Sequence, residues 1–264
     1  MNEVFFSPWD LIILYPMITL YKVFELLSFP HPLTFSIIAV TVFLRLLIYP
    51  LMSVQIRSMQ KMQKLAPEIS KIKEIHKGDA KMIQQETMRL YKENGINPAA
   101  GCLPMLIQLP ILFILYFVVI DIVKQAELVT VKVNEVIKPE FLKLTGPIDQ
   151  SFFFFPLGQS PAQLFTDFGI FIFIIPLLTG FFQFIQSKMM YPQKKKGEVK
   201  KDDFMSIFQS QTLYIFPVMI AVFSYTLPFG LSLYWNTLTL FGIIQQYKVS
   251  GLGGLEFLRK NGKR

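Results

Sequence analysis

The 264-residue sequence holds a single cysteine, Cys102, and two histidines, His31 and His76. One cysteine excludes an internal disulfide framework and a cysteine metal cluster. His31 stands between two prolines and His76 in a charged stretch, so neither has a partner at metal-ligand spacing. No phosphate-cradling loop and no Ser/His/Asp set can be read along the chain. Covalent chemistry is therefore not expected, and neither a metal nor a cofactor is called for. Charge is scarce as well: Asp, Glu, Lys and Arg make up 17% of the residues, against about a quarter in ordinary soluble domains. The first ten residues contain Glu3 and Asp10 but no Lys or Arg, so neither the basic start typical of a signal peptide nor an Arg/Ser-rich leader is expected there.

What is present is apolar. Hydrophobic residues make up 52% and aromatics 15%, with a mean hydropathy of +0.44. This composition predicts an all-α polytopic membrane protein. Residues 33–52, LTFSIIAVTVFLRLLIYPLM, have about the length that crosses a bilayer as a helix. Only Arg45 breaks their apolar run. A charge near the centre of such a helix costs at least about 2.5–3.5 kcal/mol on insertion scales. Either the helix is shifted or ends at Pro50, so that Arg45 sits near one end and snorkels to the interface, or Arg45 faces a wet cavity among helices and marks a functional site.

Further spans are expected over 98–120, 168–187, 210–227 and 230–247. The second carries Pro104, Gln108 and Pro110, and the third Gln183 and Gln186. Residues 1–32 contain a short apolar helical pattern, Leu11, Leu14, Ile18 and Tyr21, read as a helix lying in the interface plane, the alternative being a kinked first span through residue 29. Residues 53–97 alternate charge with a narrow stripe from Met59 to Ile75 and predict a helical hairpin. Its turn is Lys77-Gly78-Asp79, with Asp79 as N-cap. A pair with so little core of its own is expected to be mobile. It can serve as a charged spacer or as a docking element whose Met-rich stripe adapts to partners. Residues 121–167 form a mixed connector whose Phe152–Phe155 run is suited to the interface. Residues 188–209 form a basic loop and 248–264 a basic tail.

Basic residues fix the orientation. The hairpin, the 188–209 loop and the tail hold nine, six and five of them, against one before the first span and four in the 121–167 connector. Five spans bring the three basic segments to one side. The expectation is a multi-pass membrane protein with its N-terminus outside and its C-terminus in the cytoplasm. The net charge of +8 then calls for no DNA. The basic elements can meet anionic lipid or ribosomal RNA.

The order of interfacial helix, Arg-bearing span, basic hairpin, NPAAGCLPMLIQLPILFILY and LPFGLSLYWNTLTLFGIIQQY resembles the YidC-type membrane protein insertases (the YidC/Oxa/Alb family) in the bacterial form without a large periplasmic domain. The resemblance covers roughly residues 8–248. It implies five transmembrane helices enclosing a hydrophilic groove open to cytoplasm and lipid. Arg45 matches the family's groove arginine, which attracts polar or acidic segments of incoming chains. Gln183 or Gln186 matches its polar residue on the third span, and Trp235 its aromatic on the last. Gln108 and Asn236 complete the candidate groove set. The implied partners are nascent membrane protein substrates and the lipid bilayer, with the ribosome and the Sec translocon as further candidates. The implied work is not enzymatic: short hydrophilic segments cross through the groove and apolar segments leave into lipid. The alternative is a small channel or transporter with Arg45 as substrate counter-charge, which internal repeats would favour. None is visible.

Overall fold

The protein is described from a computed structural model that covers residues 10–97, 103–124, 126–190 and 210–256. The 188–209 loop beyond Met190, the NPAAGC stretch from Pro98, and the end of the tail lie outside the described residues. Helices dominate: α1 (Asp10–Leu26), α2 (Pro32–Leu47), α3 (Tyr49–Lys64), α4 (Ala66–Ile75), α5 (Ala80–Glu93), α6 (Leu103–Lys124), α7 (Ala126–Val136), α8 (Phe165–Phe168), α9 (Ile174–Met190), α10 (Phe216–Thr226) and α11 (Phe229–Ser250). One two-stranded antiparallel sheet pairs β1 (Ser151–Phe152) with β2 (Phe155–Pro156).

The helical run Phe165–Met190 is the one described stretch long and apolar enough to cross a bilayer by itself. Residues 33–52 do not form one helix. α2 ends at Leu47 and α3 begins at Tyr49, with Ile48 between them at φ −90° and ψ 3°. Pro50 is the cause: its ring has no N–H to give and clashes with the carbonyl four residues back, so it is tolerated only in the first turn of a new helix. Arg45 therefore occupies the last turn of α2. Gln108–Ile122 and Gln211–Thr226 are shorter apolar helices. α11 has the length to cross, but Ser232, Asn236, Thr237, Thr239, Gln245 and Gln246 dilute its apolar character.

The chain divides into two compact units. One gathers residues up to Leu47, Gln108–Gln183 and Pro217–Phe241; the other gathers Ile48–Ile107, Phe184–Phe216 and the residues from Gly242. The first unit has a continuous apolar core in which Leu14, Met17 and Ile18 of α1 meet Ile37 and Val40 of α2, Leu115 and Ile122 of α6, and Tyr234 of α11. α1 packs along α2. Two hydroxyls of α2 are spent on their own helix: Ser36 donates to the carbonyl of Pro32 and Thr41 to that of Ile37, each at 2.6 Å.

The 121–167 connector is a folded cap. Tyr15 donates to the carbonyl of Val136 at 3.1 Å. Asn134 clamps Leu144 in both directions, its amide donating at 2.9 Å and its carbonyl accepting at 2.7 Å. The amide of Gln150 reaches the carbonyl of Ile122, and the Gly230 N–H donates to Leu157, both at 2.8 Å. A Cβ on Gly230 would meet Val119 at 3.1 Å, so the side chain of Val119 would have to shift to admit one. Of the Phe152–Phe155 run, Phe152 and Phe155 pack on Phe229, while Phe153 and Phe154 project at the turn.

In the second unit α4 and α5 form an antiparallel pair. Gly78 makes the turn at φ +89°, and Asp79 accepts from the Met82 N–H at 2.9 Å as the cap of α5. Their core is small: Leu65, Tyr91 and Ile96, with Met62, Ile69 and Leu90 against them. Burial pushes the Tyr91 phenol above its ordinary pKa. The base of α3 is laced by glutamines. Gln245 donates to the Tyr49 carbonyl at 3.0 Å and to Ser53 at 3.1 Å. Gln246 reaches the Met189 carbonyl at 3.4 Å, Gln60 that of Ser250 at 3.1 Å, and Gln63 that of Met190. Three of these carbonyls close the C-terminal turns of α9 and α11, where no intrahelical donor remains.

Candidate functional site

The first unit concentrates its polar side chains on α2, α6, α9, α10 and α11. Arg45, one turn before the proline-driven break, is 6% exposed and so does not snorkel. Its Nε is buried without a hydrogen-bond partner. None of the ion pairs formed among the described residues involves it. Tyr234 of α11 interacts with it electrostatically. The Tyr234 hydroxyl in turn accepts from the side-chain amide of Gln108 on α6. Tyr234 is 1% exposed, and a buried phenol of this kind requires a polar partner.

A second polar cluster joins α9 to α11. The carbonyl of the Gln183 side chain accepts from the Trp235 indole N–H at 3.1 Å and from the Thr239 hydroxyl at 3.5 Å. One turn earlier on α9, Thr179 donates to the Ile175 carbonyl at 2.9 Å. Having given its proton, Thr179 accepts from the Asn236 amide at 3.1 Å and from Ser224 of α10 at 3.1 Å. Ser232 then donates towards Ser224, at 2.9 Å to its hydroxyl and 3.2 Å to its carbonyl. The direction of this chain follows from the proton count: Ser232 to Ser224 to Thr179 to Ile175. The Asn236 side-chain oxygen is buried and unpartnered. Beside this seam Gly180 lets α9 and α10 close up, since a Cβ there would meet that of Ala221 at 3.0 Å.

Of the two candidate glutamines, Gln183 is the one bonded to Trp235; Gln186 is half-buried and belongs to the other unit. Tyr234, Thr179, Ser224, Ser232 and Thr239 were not singled out by the sequence reading. A signal existed for three of them. Thr179 and Gln183 are spaced i, i+4, and Ser232, Trp235, Asn236 and Thr239 fall on one helical stripe. Nothing in the local sequence marks Tyr234.

Three residues of the types Ser, His and Asp do come together in the fold, far apart in sequence. His31, Asp149 and Ser151 meet where α2 begins. Ser151 donates to Asp149 at 2.6 Å, and His31 Nδ1 lies 3.1 Å from the Ser151 hydroxyl and 3.4 Å from Asp149. The sequence could not show this, because the residues are about 120 positions apart. The arrangement is not a nucleophilic one. The other ring nitrogen, Nε2, accepts from the Phe153 N–H at 3.2 Å. Its lone pair is thus occupied and Nδ1 carries the proton, so the imidazole cannot take the serine's proton.

Apolar helices, a folded cap and polar clusters buried between helices define a helical membrane protein without a recognisable catalytic set among its described residues. The chain belongs to the 60Kd inner membrane protein family, whose model matches residues 26–252. It is similar to the membrane protein insertase YidC of Fusobacterium nucleatum, 34% identical over 218 residues, covering 83% of this chain and 86% of that protein. The membrane protein insertase MisCA of Bacillus subtilis is 34% identical over 252 residues, covering 92% of this chain and 79% of the relative. Among solved structures, an active YidC insertase with its first transmembrane domain resolved matches at 26% identity with a TM-score of 0.54. That match covers 92% of this chain and 47% of the solved one, so the chain spans about half the length of that protein.

Proposed function

We propose that the chain is a membrane protein insertase of the inner membrane that carries short hydrophilic segments of nascent membrane proteins across the bilayer. The observation that carries the reading is Arg45: a guanidinium almost wholly covered, with Nε unpartnered and no carboxylate within ion-pairing distance among the described residues. A buried charge without a counter-charge is costly for a fold to keep. A passenger's acidic or polar segment supplies the missing partner for as long as it stays. Gln108 and Tyr234 on α6 and α11, and Gln183, Trp235, Thr179 and Asn236 on α9 and α11, supply further polar groups between the helices.

In this reading α2 with the start of α3, α6, α9, α10 and α11 supply five spans around a hydrophilic groove. The start of α2 lies outside and the α4–α5 hairpin in the cytoplasm. The groove shortens the apolar path for a polar segment. The passenger's greasy part then leaves into lipid, driven by about 0.8 kcal/mol per buried CH₂. The ribosome and the Sec translocon are candidate partners at the basic cytoplasmic elements. The chemistry is non-covalent throughout.

The test is reconstitution into protein-free liposomes with a short single-span substrate made by in vitro translation. Protease protection of the substrate's far side that depends on this protein supports insertion. Ion flux through the same liposomes without protection would favour a channel instead.

A further inference from the structure

We propose that the tip of the β1–β2 hairpin, Phe153 and Phe154, inserts into the outer-leaflet lipid beside the start of α2, and so sets the depth at which α2 holds Arg45. The proposal rests on the reading of α2 as a membrane span whose first turn lies at the outer surface. Phe153 and Phe154 are 65% and 80% exposed, and on the turn leading into α2 Leu26 and Leu27 are 82% and 66% exposed. These side chains are not loosely placed. Phe152 and Phe155, on either side of the tip, pack against Phe229 with ring centroids 6.1 and 5.4 Å apart.

His31 buckles the tip to the helix. Its Nε2 accepts from the Phe153 N–H at 3.2 Å, and its ring lies 5.4 Å from that of Phe153. Thr34, in the first turn of α2, donates to the Ser151 carbonyl at 3.1 Å. Both His31 and Phe153 hold positive φ, 52° and 51°, a conformation that non-glycine residues adopt only when their surroundings impose it. The fold thus spends strain at two positions to present two consecutive phenylalanines to the exterior.

Lipid is the occupant that fits. Two phenylalanines bury about 300–500 Å² between them, whereas a stable protein interface takes about 800 Å² from each partner. The patch adjoins the point where α2 enters the bilayer, so it continues a surface already in contact with lipid. Asp149, Ser151 and the Lys22–Glu25 pair supply polar groups near the same end of α2, the apolar-and-polar combination that suits the headgroup boundary. Arg45 follows His31 by fourteen residues, about 21 Å along a helix. In a hydrocarbon layer about 30 Å thick, an anchor at the outer boundary holds Arg45 past the midplane, in the cytoplasmic half.

The experiment uses the full chain in liposomes with Cys102→Ser, so that single labels can be placed. Nitroxide spin labels go on Phe154→Cys, on Leu27→Cys and, as a control for the span, on Phe43→Cys, an exposed position of α2. Collision with oxygen, which concentrates in lipid, is compared with collision with a water-soluble nickel chelate. The expected result is that oxygen dominates several-fold at all three labels, and that His31→Ala lowers the ratio at Phe154 without altering Phe43. Nickel dominating at Phe154 and Leu27 while oxygen dominates at Phe43 would overturn the anchor and leave the span reading intact. Shielding of Phe154 from both reagents would overturn it in favour of a protein contact. Nickel dominating at Phe43 would remove the span reading, and the anchor with it.

Discussion

Replacing Gln183 by leucine should cost stability, and replacing Gln186 should not, although the two stand within one helical turn. Gln183 gives its side-chain oxygen to the Trp235 indole at 3.1 Å and to Thr239 at 3.5 Å. Thr239 can turn its hydroxyl to the carbonyl one helical turn back, so its loss is small. The indole N–H is a donor with no other partner among the described contacts, and an orphaned donor costs about 1–3 kcal/mol. Trp235 is only half-buried, and bonds between membrane helices average about 0.6 and reach at most about 1.7 kcal/mol. Both facts pull the figure to about 1 kcal/mol. For a chain of this length that is a Tm lower by about 2–4 °C. Gln186→Leu should stay within about 0.5 kcal/mol. Gln183→Glu keeps the acceptor and should preserve the indole bond. The assay is thermal unfolding of the detergent-solubilised protein, with the environment of Trp235 followed by fluorescence. A Gln186→Leu loss equal to or larger than that of Gln183→Leu would refute the assignment.

Thr179→Val removes one donor contact within α9 and two acceptor contacts to neighbouring helices at the hub of the hydroxyl chain and should cost about 1 kcal/mol on the scale of about 0.6 kcal/mol per interhelical bond. Ser224→Ala should cost less, because Ser232 retains the Ser224 carbonyl; unfolding in graded denaturant gives the order. Gly180→Val should destabilise by about 1–3 kcal/mol through overpacking, since even a Cβ meets Ala221 at 3.0 Å and the Pro217 carbonyl at 3.3 Å; an unchanged midpoint would contradict the close α9–α10 contact. Replacing Lys71–Met88 by a short linker leaves the glutamine bonds at the base of α3 in place and should leave melting close to normal, while insertion in the liposome assay falls. A collapse of folding would make the hairpin a structural element.

What the sequence disclosed about fold and site was what local rules govern. Asp79 caps α5 because a carboxylate three residues before an amide is a complete motif in itself. Arg45 stood out because charge within an apolar run is costly wherever the chain goes. Pro50 offered an early end of α2 as one of two readings, and the apolar run alone could not choose between them, since hydropathy does not see backbone sterics. The choice between Gln183 and Gln186 depended on rotation of α9 by less than a turn, which only packing against Trp235 decides. The connector resisted reading because its bonds are long-range: Tyr15 to Val136, Thr34 to Ser151, Gln150 to Ile122. Its 47 residues from 121 to 167 have mixed composition for that reason, matching partners from three helices instead of one periodic face. The terminal Gln245-Gln246 pair formed part of the motif without a stated role, and it holds helix ends together.

The central claim is that Arg45 acts through positive charge on the translocated segment. The direct measurement is insertion of two matched substrates that differ only in the sign of charge on that segment, by wild-type protein and by Arg45→Lys, Arg45→Ala and Arg45→Glu at equal protein level. Arg45→Lys should retain much of the activity, although a point-like ammonium replaces the planar fork. Arg45→Ala should impair the acidic substrate more than the basic one. Arg45→Glu should widen that gap, with the acidic passenger worst affected. Equal losses for both substrates in Arg45→Glu would contradict charge capture and leave Arg45 as a structural residue of the α2 terminus.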